Sequence, residues 1–295
     1  MFTLTREIKK LALSGDVDYV GVASVDRFKN APDGWKPTDL LESCRSVVSL
    51  GVRIGEGVKV ANQRAYSGLR HGIYIYMMFS YTFLNERLNL SAFRISKWLE
   101  KKSYISIPIP ASGPSDPYMA RGAFSHRHAA VAAGLGEFGW NGLLMTSNAG
   151  PRVRLVSIQT EAELSPDPLY SGKKLCNKEK CGICNKTCPT NAISKKESVK
   201  IEIGGKLFEA RMFVPIMVKN GFNSVLQTSA GSRRLVAARN SGTMRSPKLS
   251  PNHRRRIKTI LDQFRNRECV KTRLEFWKLL ILCTLHRVLR CILYV

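Results

Sequence analysis

The feature that most constrains this 295-residue chain is a run of four closely spaced cysteines, Cys176, Cys181, Cys184 and Cys188, with Pro189 after the last. Their spacing is C-x4-C-x2-C-x3-C-P. A cubane [4Fe–4S] cluster needs four thiolates converging on one point. Closely spaced cysteines on a tight loop can wrap it, and Cys-Pro closes the run. Zinc is the main alternative, because four thiolates also suit a tetrahedral site. Zinc sites usually pair two separated C-x2-C knuckles, so the short C-x2-C-x3-C-P half favours iron–sulfur. Such a cluster carries electrons one at a time, which points to redox chemistry. The other cysteines, Cys44, Cys269, Cys283 and Cys291, are scattered and read as small buried hydrophobes.

The 47 Lys and Arg against 22 Asp and Glu give a formal net charge of +25. The excess is uneven, since residues 201–295 carry 19 basic against 5 acidic side chains. A field of that sign attracts nucleic acid, an anionic membrane surface or an acidic redox partner, and charge alone does not choose among them. The length suits one large domain plus a small one, or two of middling size. No run of about 18 apolar residues occurs, so no transmembrane span is expected. Charges near the N-terminus stand where a signal peptide needs its apolar stretch. A cytoplasmic protein with reduced cysteines is therefore expected.

Leu4, Ile8 and Leu11 share one face of a helix over residues 4–13, which Gly15 and Asp16 end. Tyr19–Ala23 and Ser46–Leu50 read as short buried strands around a Pro/Gly-rich loop at residues 30–37. Residues 67–102 read as a long helical region. In it Tyr74, Met77, Met78, Tyr81, Leu84 and Leu88 form a stripe that suits a core-facing side better than a cofactor pocket. Tyr104–Pro110 is extended, as its prolines require. Leu155–Ile158 reads as a strand, residues 165–175 as a linker, and Val199–Ile203 as a hairpin strand turning at Gly204 and Gly205. Residues 226–256 read as a solvated or disordered stretch. Leu274–Val295 reads as a basic amphipathic helix suited to the protein body or a membrane surface.

Outside the cysteines, the most specific segment is residues 125–142. Ser125 suits an N-cap, and the alanines after it are strong helix formers. Gly134 fits the left-handed position past the helix end, with Leu135 folding back. Gly136, Gly139 and Gly142 come next at three-residue steps. Glycines let a backbone approach something closely, and pattern alone leaves a flat cofactor and a tight turn equally open. His126 and His128, two apart, point to different sides of a helix, which argues against a joint metal site and suits capping or surface roles.

The stretch from His126 to Gly139, with Gly150–Arg154 and Ile158–Thr160, resembles epoxyqueuosine reductases and their reductive-dehalogenase relatives. So does Cys181–Ile193, while Pro32–Pro37 and Cys44–Gly51 fit a short, anaerobe-type branch. The resemblance covers roughly residues 4–205. It implies an α+β fold with a nitroreductase-like domain at residues 1–164 and a ferredoxin-type [4Fe–4S] module at 165–215. An irregular basic tail over 216–295 completes the chain. It further implies a cobalamin cofactor near the Gly-Leu-Gly turn, contacted by His126, Arg127, Gly134, Leu135, Gly136 and Gly139. An external donor of ferredoxin or flavodoxin type supplies electrons, and a tRNA partner agrees with the charge. The oligomeric state is not implied.

The chain departs from the family pattern in three places. The first cysteine gap is four residues, with Lys178 where a ligand is expected, so Cys176 takes that role. No C-x2-C follows Cys188, so one cluster is supported. Ala120 stands where the reductases place an acidic proton donor. Asp116 lies near but shifted, and Tyr118 beside Arg121 matches the dehalogenase-type donor. Reductive removal of an oxygen or halogen then draws its proton from Asp116, Tyr118 or His126. Arg121 or Arg127 steadies the departing anion. Two other readings stay open: a ferredoxin-like electron carrier without its own substrate, and a nucleic-acid-binding iron–sulfur protein.

Overall fold

The computed structural model describes residues 2–15, 17–112, 122–188 and 193–213. The fold is mixed α/β. Its N-terminal elements are α1 (Phe2–Leu13), β1 (Tyr19–Ser24), a 3-10 turn at Val25–Phe28, α2 (Pro37–Leu40) and β2 (Ser46–Arg53). A helical region comes next, with α3 (Glu56–Tyr66), α4 (His71–Tyr76), a π-helical turn at Met77–Thr82 and α5 (Phe83–Glu100). Then come β3 (Ser106–Ile109), α6 (His126–Ala132), β4 (Glu137–Phe138), β5 (Leu144–Met145) and β6 (Val153–Thr160). The short α7 (Ile183–Thr187) precedes a hairpin of β7 (Ile193–Ile203) and β8 (Lys206–Phe213).

A four-stranded antiparallel sheet in the order β1-β2-β6-β3 organises the molecule. Side chains alternate between its faces. Val22, Val48 and Ile158 are in register across three strands and point to one face. There they meet Ile8 and Ala12 of α1 and Leu88, Ala92, Ile95 and Leu99 of α5. The next row, Gly21, Ser49 and Ser157, is made only of small residues. It faces α6, whose Ala129–Ala132 are fully buried. A side chain at Gly21 would place its Cβ 2.4 Å from the Ala133 carbonyl oxygen. The small row is what lets an alanine helix lie directly on the sheet.

The expected strands and the first helix form where the sequence pattern places them. The long helical region differs. It begins earlier, at Glu56, breaks between α3 and α4, and passes through the π-helical turn before α5. A π turn adds a residue to the helical repeat and rotates the helix on one side of it relative to the other. The stripe from Tyr74 to Leu88 therefore does not stay on one buried side: Leu88 is fully buried while Tyr74 and Met78 are exposed.

The hairpin turns at Gly204 and Gly205, both at positive φ (57° and 78°), a backbone pair that suits a tight hairpin. Ile203 and Phe208 from it join the same buried cluster as Phe28, Val47 and Phe138. The linker at residues 165–175 has no regular structure and is strapped to the sheet edge. Asp167 N–H donates to the Val22 carbonyl, and Val22 N–H donates to Asp167 Oδ2, each at 2.8 Å. Cys44 is buried, as expected of a small hydrophobe. The readings for residues 226–256 and 274–295, and for Cys269, Cys283 and Cys291, lie outside the described residues. Among the described residues, no helix is long and apolar enough to cross a membrane.

Two glycines with similar backbone angles separate strain from crowding. Gly134 (φ +76°) would set a Cβ 2.1 Å from the Pro168 carbonyl oxygen, whereas Gly34 (φ +80°) has nothing within 4 Å. Gly34→Ala is expected to cost ~1 kcal/mol of unfolding free energy from backbone strain alone. Gly134→Ala is expected to cost ~3 kcal/mol or more, because the linker must also move. Urea unfolding of both variants checks the difference.

Candidate cysteine site and glycine turn

Helix α6 ends as the sequence suggests. Gly134 N–H donates to the Val131 carbonyl and Leu135 N–H to the Ala130 carbonyl, both at 3.0 Å, with Gly134 left-handed. This pairing satisfies carbonyls that a helix end leaves open. The spaces beside the next glycines are filled by the chain itself. A Cβ at Gly136 would lie 2.0 Å from the Met145 carbonyl oxygen, and one at Gly139 would lie 2.8 Å from Asn141 Oδ1 and Met145 Cγ. Leu135 packs against the buried cluster under α6.

The polar residues at the start of α6 are turned inward. Ser125 occupies the N-cap position, yet its Oγ pairs with His128 Nδ1 at 2.5 Å and makes no backbone cap. His126 bridges two elements: its Nε2 lies 2.9 Å from the Pro110 carbonyl oxygen and its Nδ1 2.9 Å from Ser157 Oγ. A carbonyl only accepts, so Nε2–H donates to it, and the neutral Nδ1 accepts from the serine hydroxyl. Burial holds His126 below the ordinary histidine value. His128 sits edge-on to Phe138, 5.0 Å between ring centres. Burial, helped by the charge of Arg127, pushes its pKa down to about 4. Neither histidine is the surface residue expected from the sequence, because α6 lies flat on the sheet. They do point to different sides, as their spacing requires.

Arg127 donates to the Gly142 carbonyl at 2.6 Å, and burial lowers its pKa. With Trp35, Phe124, His128 and Phe138 it lines a cavity of about 200 Å³ between α6, the 25–35 loop and the hairpin. Asp116, Tyr118 and Arg121 lie outside the described residues. The strand leading to them is held at Pro110 by His126 and at Ala111, whose N–H donates to Asn89 Oδ1 at 2.8 Å.

The cysteine loop docks against the glycine turn through Trp140. Its backbone N–H donates to Cys176 Sγ at 3.2 Å. Glu137 Oε1 accepts the N–H groups of Leu175 at 2.6 Å and Cys176 at 3.4 Å. Asn177 shapes the stretched gap, accepting from Cys181 N–H through its carbonyl and from Lys180 N–H through its side chain, both at 3.1 Å. Lys178, in the position where the family pattern has a ligand, pairs with Glu209 and rests 4.5 Å from the Trp140 ring. Gly182 then turns left-handed (φ 60°) into α7, which carries Cys184 and ends at Cys188. Burial raises the Cys184 thiol pKa, Cys176 and Cys181 push the same way, and Arg211 opposes. Cys184 thus lies within electrostatic reach of Cys176 and of Cys181. Among the described residues, no three His, Cys, Asp or Glu side chains stand close enough to hold a metal as placed.

Sequence reasoning missed Glu137, Trp140 and Arg211. The first two lie in the glycine-rich segment at 125–142, but nothing in its pattern tells which side chain meets the cysteines. Arg211 stacks 4.7 Å from the Trp140 ring, and it lies too far along the chain for spacing to reveal it.

The histidine at α6 predicts a pH response. An unfolded His128 takes its proton near pH 6.5 and the folded one near 4. The unfolded state therefore binds more protons between those values, and stability is fully present above pH 6.5 and lost as pH falls toward 4. The loss from His128 is expected to be about 3 kcal/mol across that window. His128→Leu should flatten the dependence, with His126 contributing the remainder, as read by unfolding at a series of pH values.

No protein-family model matches the sequence. Among curated proteins, the chain is similar to the tetrachloroethene reductive dehalogenases of Desulfitobacterium hafniense and Dehalobacter restrictus. Each is 37% identical over 114 residues, which is 37% of this chain and 18% of the relative. The chain thus spans less than a fifth of the length of the curated relatives it matches. Among solved structures it is similar to the epoxyqueuosine reductase of Streptococcus thermophilus, at 18% identity and a TM-score of 0.43, covering 63% of this chain and 52% of that one. An epoxyqueuosine reductase solved with an epoxyqueuosine-modified tRNA stem loop gives 17% identity and a TM-score of 0.42, over 64% and 52% of the two chains. A catabolic reductive dehalogenase gives 20% identity and a TM-score of 0.45, over 65% and 26%.

Proposed function

We propose that the chain is an iron–sulfur oxidoreductase of the epoxyqueuosine reductase and reductive dehalogenase type. The observation that carries the reading is the 37% identity with tetrachloroethene reductive dehalogenases over 114 residues. The cysteine loop supports it. Cys176, Cys181, Cys184 and Cys188 form a donor set whose chemistry suits a [4Fe–4S] cluster, and a bound cluster supplies single electrons. The Trp140 N–H on Cys176 Sγ is the kind of hydrogen bond that favours a cluster thiolate.

In this reading residues 1–164 form a nitroreductase-like substrate domain, residues 165–215 a ferredoxin-type module and residues 216–295 a basic tail. The protein is cytoplasmic and receives electrons from a ferredoxin- or flavodoxin-type donor. A corrinoid is the electron acceptor that the resemblance implies. The glycine turn gives it no cradle, because the spaces beside Gly134, Gly136 and Gly139 are taken by Pro168, Met145 and Asn141.

The chain's own residues divide the remaining work. Arg127 lines the cavity with no carboxylate paired to it among the described salt bridges, so it is the residue to steady a departing anion. Both ring nitrogens of His126 are engaged, which makes it a positioning residue that ties α6 to β6 and to the strand end at Pro110. The proton donor is then sought between Asp116 and Tyr118, with Arg121 as the second group that could steady the departing anion. The positive charge suits a tRNA substrate.

Anaerobic reconstitution tests the proposal. The full chain is expected to take up about four iron atoms with matching sulfide. Cys176→Ser and Cys184→Ser should lower iron by half or more, whereas Cys44→Ser should leave it unchanged. Zinc in place of iron would overturn the cluster. Iron uptake with no reduction of either a chlorinated alkene or an epoxyqueuosine-modified tRNA stem loop would overturn the reductase and leave an electron carrier.

A further inference from the structure

The cysteine loop has an inner and an outer side. Its inner side is fixed to the glycine turn: Trp140 N–H donates to Cys176 Sγ, and the Glu137 carboxylate accepts the N–H groups of Leu175 and Cys176. The outer side is open. Cys181 is exposed there, whereas Cys176, Cys184 and Cys188 are partly covered. Ile183, directly before Cys184, is 61% exposed.

Positive charge gathers on the same stretch. Residues 173–188 carry five lysines, Lys173, Lys174, Lys178, Lys180 and Lys186, and one acidic residue, Glu179. Lys178 is committed to Glu209 and to the Trp140 ring. The ammonium groups of the other four make no ion pair or hydrogen bond among the described residues, and all four side chains are exposed. The carboxylates nearby leave them uncompensated, because Glu137 is turned onto the loop backbone and Glu209 holds Lys178. Lys180 adjoins Cys181, and Ile183 and Lys186, three apart on α7, share one face. Lys174 and Leu207, the latter 60% exposed, line a cavity of about 220 Å³ beside Cys176. Apolar side chains with separate cations at their rim are the features of a contact between proteins.

The possible anionic occupants differ in what they require. RNA recognition draws on aromatic rings for base stacking and on Arg for bidentate phosphate contacts. Between residues 165 and 188 the only aromatic residue is Tyr170, whose hydroxyl donates to the Lys173 carbonyl, and every cation is lysine. A small anion makes no use of the exposed Ile183 and Leu207. An acidic protein that carries electrons answers the free lysines, the apolar side chains and the exposed thiol together. Contacts between redox proteins are brief and bury less than about 1,200 Å² in total, so a short loop and its lysines suffice.

We propose that an acidic electron-carrier protein docks on the outer side of the cysteine loop, over Cys181 and Ile183, with Lys173, Lys174, Lys180 and Lys186 at the rim. The inference rests on the iron–sulfur reading above and adds to it the face by which electrons enter. On contact one electron leaves the reduced carrier, which is oxidised, and the centre held by the cysteines is reduced by that electron; no bond is made or broken. Entry on the Cys181 side leaves the Cys176 side, held at Trp140, toward the body of the protein.

Calorimetric binding of flavodoxin, a small acidic carrier, to the reconstituted full chain tests it. A complex is expected at low ionic strength and should weaken about tenfold at about 0.3 M salt. The combined variant Lys173→Glu, Lys174→Glu, Lys180→Glu, Lys186→Glu should take up iron as the parent does and bind flavodoxin about tenfold more weakly. It should also be reduced more slowly by reduced flavodoxin, with reduction by the uncharged photoreductant deazariboflavin unchanged. The variant Arg6→Glu, Lys10→Glu, Arg94→Glu, Lys101→Glu makes the same change in charge on α1 and around the end of α5, and should bind as the parent does. Unchanged binding in the lysine variant would overturn the docking face, and so would equal loss in both variants, which would assign the binding to net charge. No flavodoxin binding by the parent, or an RNA stem loop held by the four lysines in its place, would overturn it too. Each of these outcomes leaves the iron–sulfur reading standing, whereas failure of the parent to take up iron would overturn both.

Discussion

The contact on which the rest of the structure depends is the seating of an alanine helix on a row of small residues. Gly21, Ser49 and Ser157 run across three strands, and α6 lies on them with the Ala133 carbonyl oxygen 2.4 Å from where a Cβ at Gly21 would stand. That approach sets the height of everything attached to α6. Its end turn meets the linker at Pro168, its start holds the strand at Pro110, and the segment after it offers Trp140 to the cysteine loop. A larger side chain in the row would lift the helix and move all three together.

Much of this was legible in the sequence where local chemistry decides the outcome. The cap at Gly134, the hairpin at Gly204 and Gly205 and the buried strands arise from residue types that leave the backbone few choices. The sequence was ambiguous where two physical explanations share one pattern. A glycine at three-residue steps suits a cofactor or a close chain crossing, and only the positions of Pro168 and Met145 show which of the two occupies the space. The stripe from Tyr74 to Leu88 requires an unbroken helical period, and the π-helical turn at Met77–Thr82 interrupts it. The roles of His126 and Arg211 depend on contacts distant in sequence, which periodicity does not encode.

The charge of the chain is also distributed by the fold in a way that its total conceals. Arg27 is drawn inward, donating to the Ala132 and Asp167 carbonyls at 2.5 and 2.6 Å, and so acts as a tie between the first loop, α6 and the linker. Lys178 and Arg211 both rest near Trp140, close to the thiols. Arg127 lines a cavity walled by aromatic rings. These cations serve local geometry, so a large positive charge does not by itself describe a single binding face.

The burial of Cys44 has a chemical consequence of its own. Its thiol lies under the sheet, with the pKa pushed up to about 11, whereas Cys181 is exposed and its three companions are partly so. Thiolate character and access govern attack by peroxide or by an alkylating reagent. Oxidation or alkylation is therefore expected to begin in the loop, at Cys181, and to reach the buried Cys44 last.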